Sequence, residues 1–490
     1  MAPTTPATYR PRIALYGHDT QGLGHLRRNL HLAAGLASDL PGGLGADVLV
    51  LTGAAEVGLF ERPHGVEAVV VPGVRKDSRG GYEPRRLRGH ELGDVVDLRS
   101  STIAGALHGF NPDVLVVDKA PWGFAGELSA VLPQLKSAGT RLVLGLRDVL
   151  DDPATASSEW RHDRGDEAVR ALYDEVWVYG DQAIHDVPAA ADMAADVRAK
   201  VHHVGYVSGR GAGLPSHPRA LDAHPAAVEG RRPPLPPRVD QYVLVMLGGG
   251  QDGIALARQA VRMTMPQGVA MVLLTGPQMS SAHMAELMAS CSRDHMVIPF
   301  SPHASEWLTG AAAAITMGGA NTVTEILSTS TPALIVPRTR PRREQAVRAE
   351  ALAARGLVDV LTEQWGTAQG LSDWVRRAVG RRVDRSAIDL SGVLGARDRV
   401  EMLLGCHEGR GRLYPVRLAH TSRGDRAGHR VRAAPQHAAP LSGSAFAAHT
   451  PPAPSAWRRG LALPFTALAA LVRHPHPHPS ETGRHAALPA

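Results

Sequence analysis

The side chains able to do chemistry gather at a few glycine-marked turns. Tyr16-Gly17-His18-Asp19-Thr20-Gln21-Gly22-Leu23-Gly24-His25-Leu26-Arg27-Arg28 follows an apolar run and opens an amphipathic one. Gly22 and Gly24 allow a tight turn and a close approach to a ligand, and a helix beginning there offers free N–H groups and positive potential. His18 and Asp19 share this loop with the two glycines. His25 at its end can take a proton from a hydroxyl as general base, provided a carboxylate orients the ring. The plainer alternative is that His25 starts a helix and packs locally. Asp118 closes the apolar run Asp113-Val-Leu-Val-Val-Asp118. It can hold His25 through Nδ1–H, or it can cap the next helix, and the sequence leaves both open.

The second half repeats the pattern. Leu247-Gly248-Gly249-Gly250-Gln251-Asp252-Gly253 fits G-x-G-x-x-G. A dinucleotide site would need an acid about 20 residues on, yet no Asp or Glu lies between Asp252 and Glu286. What remains is a loop able to cradle a diphosphate on backbone N–H groups. Ile315-Thr316-Met317-Gly318-Gly319-Ala320-Asn321-Thr322-Val323-Thr324-Glu325 leads through glycines into another helix. Asn321 or Thr322 reads as its N-cap and Glu325 as a first-turn acid, where a carboxylate can take both hydroxyls of a ribose or simply complement the helix dipole. Val336-Pro337-Arg338-Thr339-Arg340-Pro341-Arg342-Arg343-Glu344-Gln345 adds four Arg and two residues suited to sugar hydroxyls. Arg runs are usually solvated faces, so the convergence of several strand–turn–helix junctions carries more weight than any single charge.

These turns need strands ahead of them and helices behind. Short β-branched runs alternate with amphipathic stretches from residue 12 to about 405, the signature of parallel α/β units. Strands are expected at Arg12–Gly17, Ala46–Thr52, Val66–Val71, Asp113–Asp118, Arg141–Arg147, Glu175–Tyr179 and Val201–Val207, with helices at Leu26–Leu36, Val95–Leu107 and Gly123–Leu135. After a Gly/Pro-rich linker the alternation resumes with Gln241–Leu247, Val269–Leu274, Met296–Phe300, Ala313–Met317 and Pro332–Pro337. The expected organisation is a Rossmann-like lobe over 1–207, a linker over 208–238, a second Rossmann-like lobe over 239–405 and a low-complexity basic tail over 406–490. Two doubly wound sheets leave a cleft at the carboxyl ends of their strands.

Composition removes several classes of function. Of 490 residues 44% are apolar and 20% charged, which is globular usage. With only Cys291 and Cys406, no disulfide scaffold or Cys-based metal site can be built within one chain. The formal charge of +6 is a property of the tail: eleven Arg face three acids in 406–490, leaving 42 basic and 44 acidic residues before it. No nucleic-acid groove is expected from so balanced a body. The start carries no secretory signal pattern, and no stretch reaches the ~18 apolar residues of a membrane span, so a cytoplasmic protein is expected. In the tail, His474, His476 and His478 read as a solvated low-complexity tract. Gly460–Val472 with its flanking Arg is short and holds Pro464, allowing at most a transient peripheral membrane contact. Asp151-Asp152 reads as the polar end of a loop before Pro153. Oligomeric state is not legible.

Taken together, these segments resemble the GT-B glycosyltransferases of family 28 over roughly residues 12–380, and the His18–Arg28 phrase is similar to that of a little-characterised bacterial branch. The resemblance implies two Rossmann-like lobes and a hexosyltransferase that uses a nucleotide-diphosphate sugar, UDP-linked, and an acceptor hydroxyl. It implies His25 as base with Asp118 behind it. Gly248, Gly249, Gly250 and Gln251 fall at the diphosphate loop, Phe300 with Ser301 and Pro302 at the base, and Gly319, Asn321, Thr322 and Glu325 at the nucleotide, Glu325 on the ribose. Glu344 and Gln345 fall at the donor sugar. No cofactor and no metal ion held by the protein are implied, and the anomeric centre inverts. Two rivals remain: a UDP-sugar epimerase on the same architecture, and a non-catalytic nucleotide-sugar-binding protein.

Overall fold

The computed structural model describes residues 10–20, 23–39, 44–60, 62–77, 81–208, 239–292, 295–301, 304–340, 342–361 and 366–405. Gln21 and Gly22, Pro302, residues 209–238 of the linker and the whole 406–490 tail, with Cys406 and the His-Pro tract, lie outside them. Among the described residues no helix is long and apolar enough to cross a membrane.

The first lobe is built on β1 (Arg12–Gly17), β2 (Asp47–Thr52) and β3 (Val66–Val70), a hairpin of β4 (Val74–Lys76) and β5 (Tyr82–Pro84), then β6 (Val114–Asp118), β7 (Arg141–Arg147), β8 (Glu175–Tyr179) and β9 (Val201–His203). Seven of these form one parallel sheet in the order β3-β2-β1-β6-β7-β8-β9. Ile13, Leu15, Val114 and Val116 face one core and Ala14, Tyr16, Leu115 and Val117 the other, so the strands are buried on both faces, as helices over both sides of a parallel sheet require. The second lobe repeats this with β10 (Gln241–Met246), β11 (Val269–Leu274), β12 (His295–Ile298), β13 (Ala313–Thr316), β14 (Ala333–Ile335) and β15 (Asp359–Val360), ordered β12-β11-β10-β13-β14-β15. In each sheet the chain order reverses beside its first strand, between β1 and β6 and between β10 and β13. Crevices for ligands open at such reversals, and the glycine turns follow three of these four strands.

Several expected elements end differently. Gly123–Leu135 is a short 3₁₀ turn at Phe124–Gly126 and a helix at Val131–Ser137, because Gly123, Ala125 and Gly126 all take positive φ. β9 stops at His203, ahead of Gly205 at φ +87°. The segment 239–405 is divided by packing: its strands build the second sheet, while Val393, Ala396 and Val400 of the final helix, Gly392–Leu403, join the core around Ile13, Leu15 and Leu36 of the first lobe. Arg399 of that helix reaches Glu175 at 3.0 Å.

Candidate active site

His25 is the second residue of the helix Gly24–Ala37, which leaves the end of β1. Gly17 makes room for it, since a Cβ there would lie 3.2 Å from that of His25. Asp19, at φ +44°, turns inward and accepts from the Leu26 N–H at 3.0 Å and from the Thr52 hydroxyl, so it anchors the first turn of the helix from a buried position. Its carboxyl is raised from the ordinary range by burial.

The His25 Nδ1 lies 2.9 Å from Asp118 Oδ2, which ends β6 on the neighbouring strand. Arg28 donates to the same oxygen and its Nη2 is 3.2 Å from Nδ1, so one carboxylate is divided between two donors. Burial alone would raise the Asp118 carboxyl, but the charges of Arg28 and His25 outweigh it and hold it well below the usual carboxylate range. An ionised carboxylate can only accept, so in a neutral imidazole this contact puts the ring hydrogen on Nδ1 and the lone pair on Nε2. The ring of His18 stands 4.6 Å from that of His25. Burial first, and then the nearby His25, push His18 well below the ordinary histidine range, so it stays a neutral neighbour.

Across the cleft, Gly248 and Gly250 take φ of +65° and +92° after β10. A side chain at Gly250 would strike the Thr275 carbonyl at 2.4 Å, so only glycine lets this loop fold against the next strand's turn. The helix after β13 runs from Ala320 to Leu327 with Gly319 as its N-cap and no side-chain cap. Asn321 and Thr322 therefore do not cap it. Asn321 instead donates from Nδ2 to the Gly24 carbonyl of the first lobe at 2.9 Å. Glu325 falls on the second turn rather than the first and pairs with Arg27, while its Oε2 is buried with no hydrogen-bond partner among the described residues. Phe300 meets Phe60 of the first lobe edge-on at 6.3 Å.

Glu344 opens the helix Glu344–Ala353 and accepts from Arg338 at 2.9 Å, and Gln345 Oε1 accepts from the Arg338 N–H at 3.0 Å. Burial would raise Glu344, but Arg147, Arg338 and Arg348 together lower it. Of the four Arg in this stretch, Arg338 is also tied to Asp252, and Arg342 to Asp151 and Glu159. Asp151 further accepts from the Arg343 N–H at 2.8 Å, whereas Asp152 caps the helix Pro153–His162 through Thr155. The pair is thus more than a loop end, since one member joins the lobes.

One cavity of about 590 Å³ collects these groups. His18, Gly24, His25, Gly248, Gly249, Gly250, Gln251, Phe300, Gly319, Asn321, Thr322, Glu325, Glu344 and Gln345 all line it, with Asp19 and Asp118 buried behind the first-lobe wall. Gly22 lies outside the described residues. Arg27, Arg28 and Lys119 stood inside the quoted motifs without a role, and Arg147 ends β7 much as Asp118 ends β6; the strand-end rule that pointed to Asp118 applies to Arg147 equally. Among the described residues no group of three His, Cys, Asp or Glu side chains is disposed to hold a metal ion.

Residues 243–382 match the family model described as the Glycosyltransferase family 28 C-terminal domain. No protein of curated function matches the sequence. Among solved structures, the glycotransferase of kitacinnamycin is similar with a TM-score of 0.53 at 17% identity, over 81% of this chain and 100% of its own. The calicheamicin glycosyltransferase CalG4 gives 0.50 at 18% identity, over 81% and 99%. A putative UDP-N-acetylglucosamine 2-epimerase from Listeria monocytogenes gives 0.50 at 11% identity, over 81% and 96%. At such identities these likenesses establish the shared two-lobed fold, while the match over the second lobe speaks for glycosyl transfer.

Proposed function

We propose, from the premise that this chain is a GT-B glycosyltransferase resembling family 28, that it moves a hexosyl group from a UDP-linked sugar to an acceptor hydroxyl with inversion. The observation that carries the reading is the His25–Asp118 pair, set at the reversal of the first sheet and opening on the same cavity as both glycine turns of the second. The acceptor O–H gives its proton to His25 Nε2 while its oxygen forms the new bond to the anomeric carbon. The bond from that carbon to the phosphate oxygen breaks, and its electron pair leaves with the nucleoside diphosphate. Asp118 stabilises the imidazolium formed at His25. The diphosphate rests on the main chain around Gly248–Gln251 and at Gly319, whose amides meet its charge without a metal ion held by the protein. The ribose hydroxyls take Glu325, displacing Arg27, and the sugar ring lies toward Glu344 and Gln345. Calorimetric titration with UDP and with dTDP tests the donor. Binding of UDP, tighter than of uridine, is the expected result, and no heat with either diphosphate overturns the proposal.

A further inference from the structure

The first-lobe wall of the cavity carries two cations, Lys119 and Arg147, that no carboxylate among the described residues pairs directly, although Arg147 feels the charge of Glu344. The ion pairs around it go to other cations, Asp118 with Arg28, Asp148 with Arg348, Glu159 with Arg342 and Glu344 with Arg338. Lys119, directly after β6, and Arg147, ending β7, line the same cavity. The two strands are neighbours in the register Asp118↔Gly145, and the Lys119 N–H is donated to the Gly145 carbonyl at 2.7 Å. Among the described residues neither the Lys119 ammonium nor the Arg147 guanidinium makes a hydrogen bond or an ion pair, and the Nε of Arg147 is buried with no acceptor.

The backbone adds a second sign. Lys119 is held at φ +72°, a left-handed conformation that is unfavourable for a residue with a Cβ. Such strain persists where the surroundings impose it, and it clusters at ligand sites. Burial first, then Arg147 and Arg342 close by, pull the Lys119 ammonium down to about 8. Like charges have been gathered where water is scarce, an arrangement that an incoming anion relieves.

We propose that Lys119 and Arg147 form a subsite for an anionic group on the acceptor, a phosphate ester or a carboxylate, anchored beside His25 while the acceptor presents its hydroxyl. The word acceptor rests on the glycosyl-transfer reading; the anion does not. The cations belong to the first lobe, whereas the glycine turns offered to the donor diphosphate lie on the second. Tyr82 and Phe60 line the same side, so an aromatic anion is a suitable probe.

The test is calorimetric titration of phenyl phosphate and of benzoate into the full chain saturated with UDP, with benzyl alcohol as the neutral control. At least one anion should bind, and Lys119→Met and Arg147→Met should each weaken it about tenfold or more. Lys119→Arg should retain it, and UDP affinity should change less than twofold in every variant. The tighter of the two anions tells phosphate from carboxylate. Binding no stronger than that of benzyl alcohol, or unchanged in both Met variants, overturns the proposal, as does a matching loss of UDP affinity, which would assign the cations to the donor. If UDP itself gives no heat, the transfer reading falls instead, and the same anion titrations into the unliganded chain still decide the subsite. Arg147→Lys, which keeps the charge, separates loss of the subsite from loss of folding when thermal unfolding is followed beside binding.

Discussion

His25 and Glu325 line one cavity from different lobes, and the proposed reaction gives them different duties that substitutions should part cleanly. If His25 is the base, His25→Ala should lower transfer about 10²-fold or more while UDP affinity stays near its native value. Turnover and calorimetry on one preparation check it, and unchanged turnover would remove His25 from the mechanism. Glu325→Ala should weaken UDP binding by about 1.5–3 kcal/mol, the worth of charged hydrogen bonds to the ribose. Arg27→Ala should do the reverse and tighten UDP, because Arg27 holds the Glu325 carboxylate in the free protein and must be displaced. Equal UDP affinity in both variants would leave Glu325 a purely structural partner. The His25 setting was legible because a glycine turn between strand and helix has a local spacing. The Arg27–Glu325 pair was not, because its partners are 298 residues apart and only the meeting of two lobes joins them.

At the scale of elements, the helix Gly24–Ala37 carries both the catalytic candidate and a hidden titration. His31 on this helix is pushed down to about 4 by burial, with the charge of Arg27 adding to the effect. The folded chain holds it neutral, whereas the unfolded chain protonates it near 6.5. The unfolded state therefore binds more protons as pH falls, so the contribution is complete above about 6.5 and is lost progressively toward pH 4. Urea unfolding at pH 7.5 and 5 should show His31→Gln losing about 1–2 kcal/mol less than the native chain over that interval; equal losses would put the acid sensitivity elsewhere. The strands that position this helix were legible since burial on both faces writes a continuous apolar run, as in Val114–Val117. The hairpin of β4 and β5 was not, its strands being three residues long with exposed charges at Arg75 and Lys76. Positive φ at Gly123, Ala125 and Gly126 likewise broke a helix that periodicity alone would continue.

For the whole molecule, the proposed reaction puts donor and base on different lobes, so it would depend on ties that neither sheet encodes by itself. The most buried of these is Arg348, whose Nε and Nη2 reach Asp148 at 2.8 and 2.7 Å while Nη1 donates to the Gly318 carbonyl at 3.1 Å. It therefore links the end of the first sheet to the glycine turn beside Glu325. Two lobes were legible from two rounds of alternation, but their mutual register was not, since each tie couples residues chosen by geometry and not by spacing. Removing one partner of a buried pair strands the other charge, at a cost of about 3–5 kcal/mol, whereas replacing both with apolar groups is often close to neutral. Asp148→Ala should accordingly lower unfolding stability by that amount, and Asp148→Leu with Arg348→Met should recover most of it. The double variant should nonetheless transfer poorly while binding UDP nearly as well as the native chain, since the proposed reaction assigns the nucleotide to the second lobe and the base to the first. Urea unfolding, UDP calorimetry and turnover on the two variants decide the matter. Full transfer in the stable double variant would mean that the ion pair serves folding alone, and that other contacts, such as Asn321 to Gly24 and Arg342 to Asp151, suffice to align base and donor.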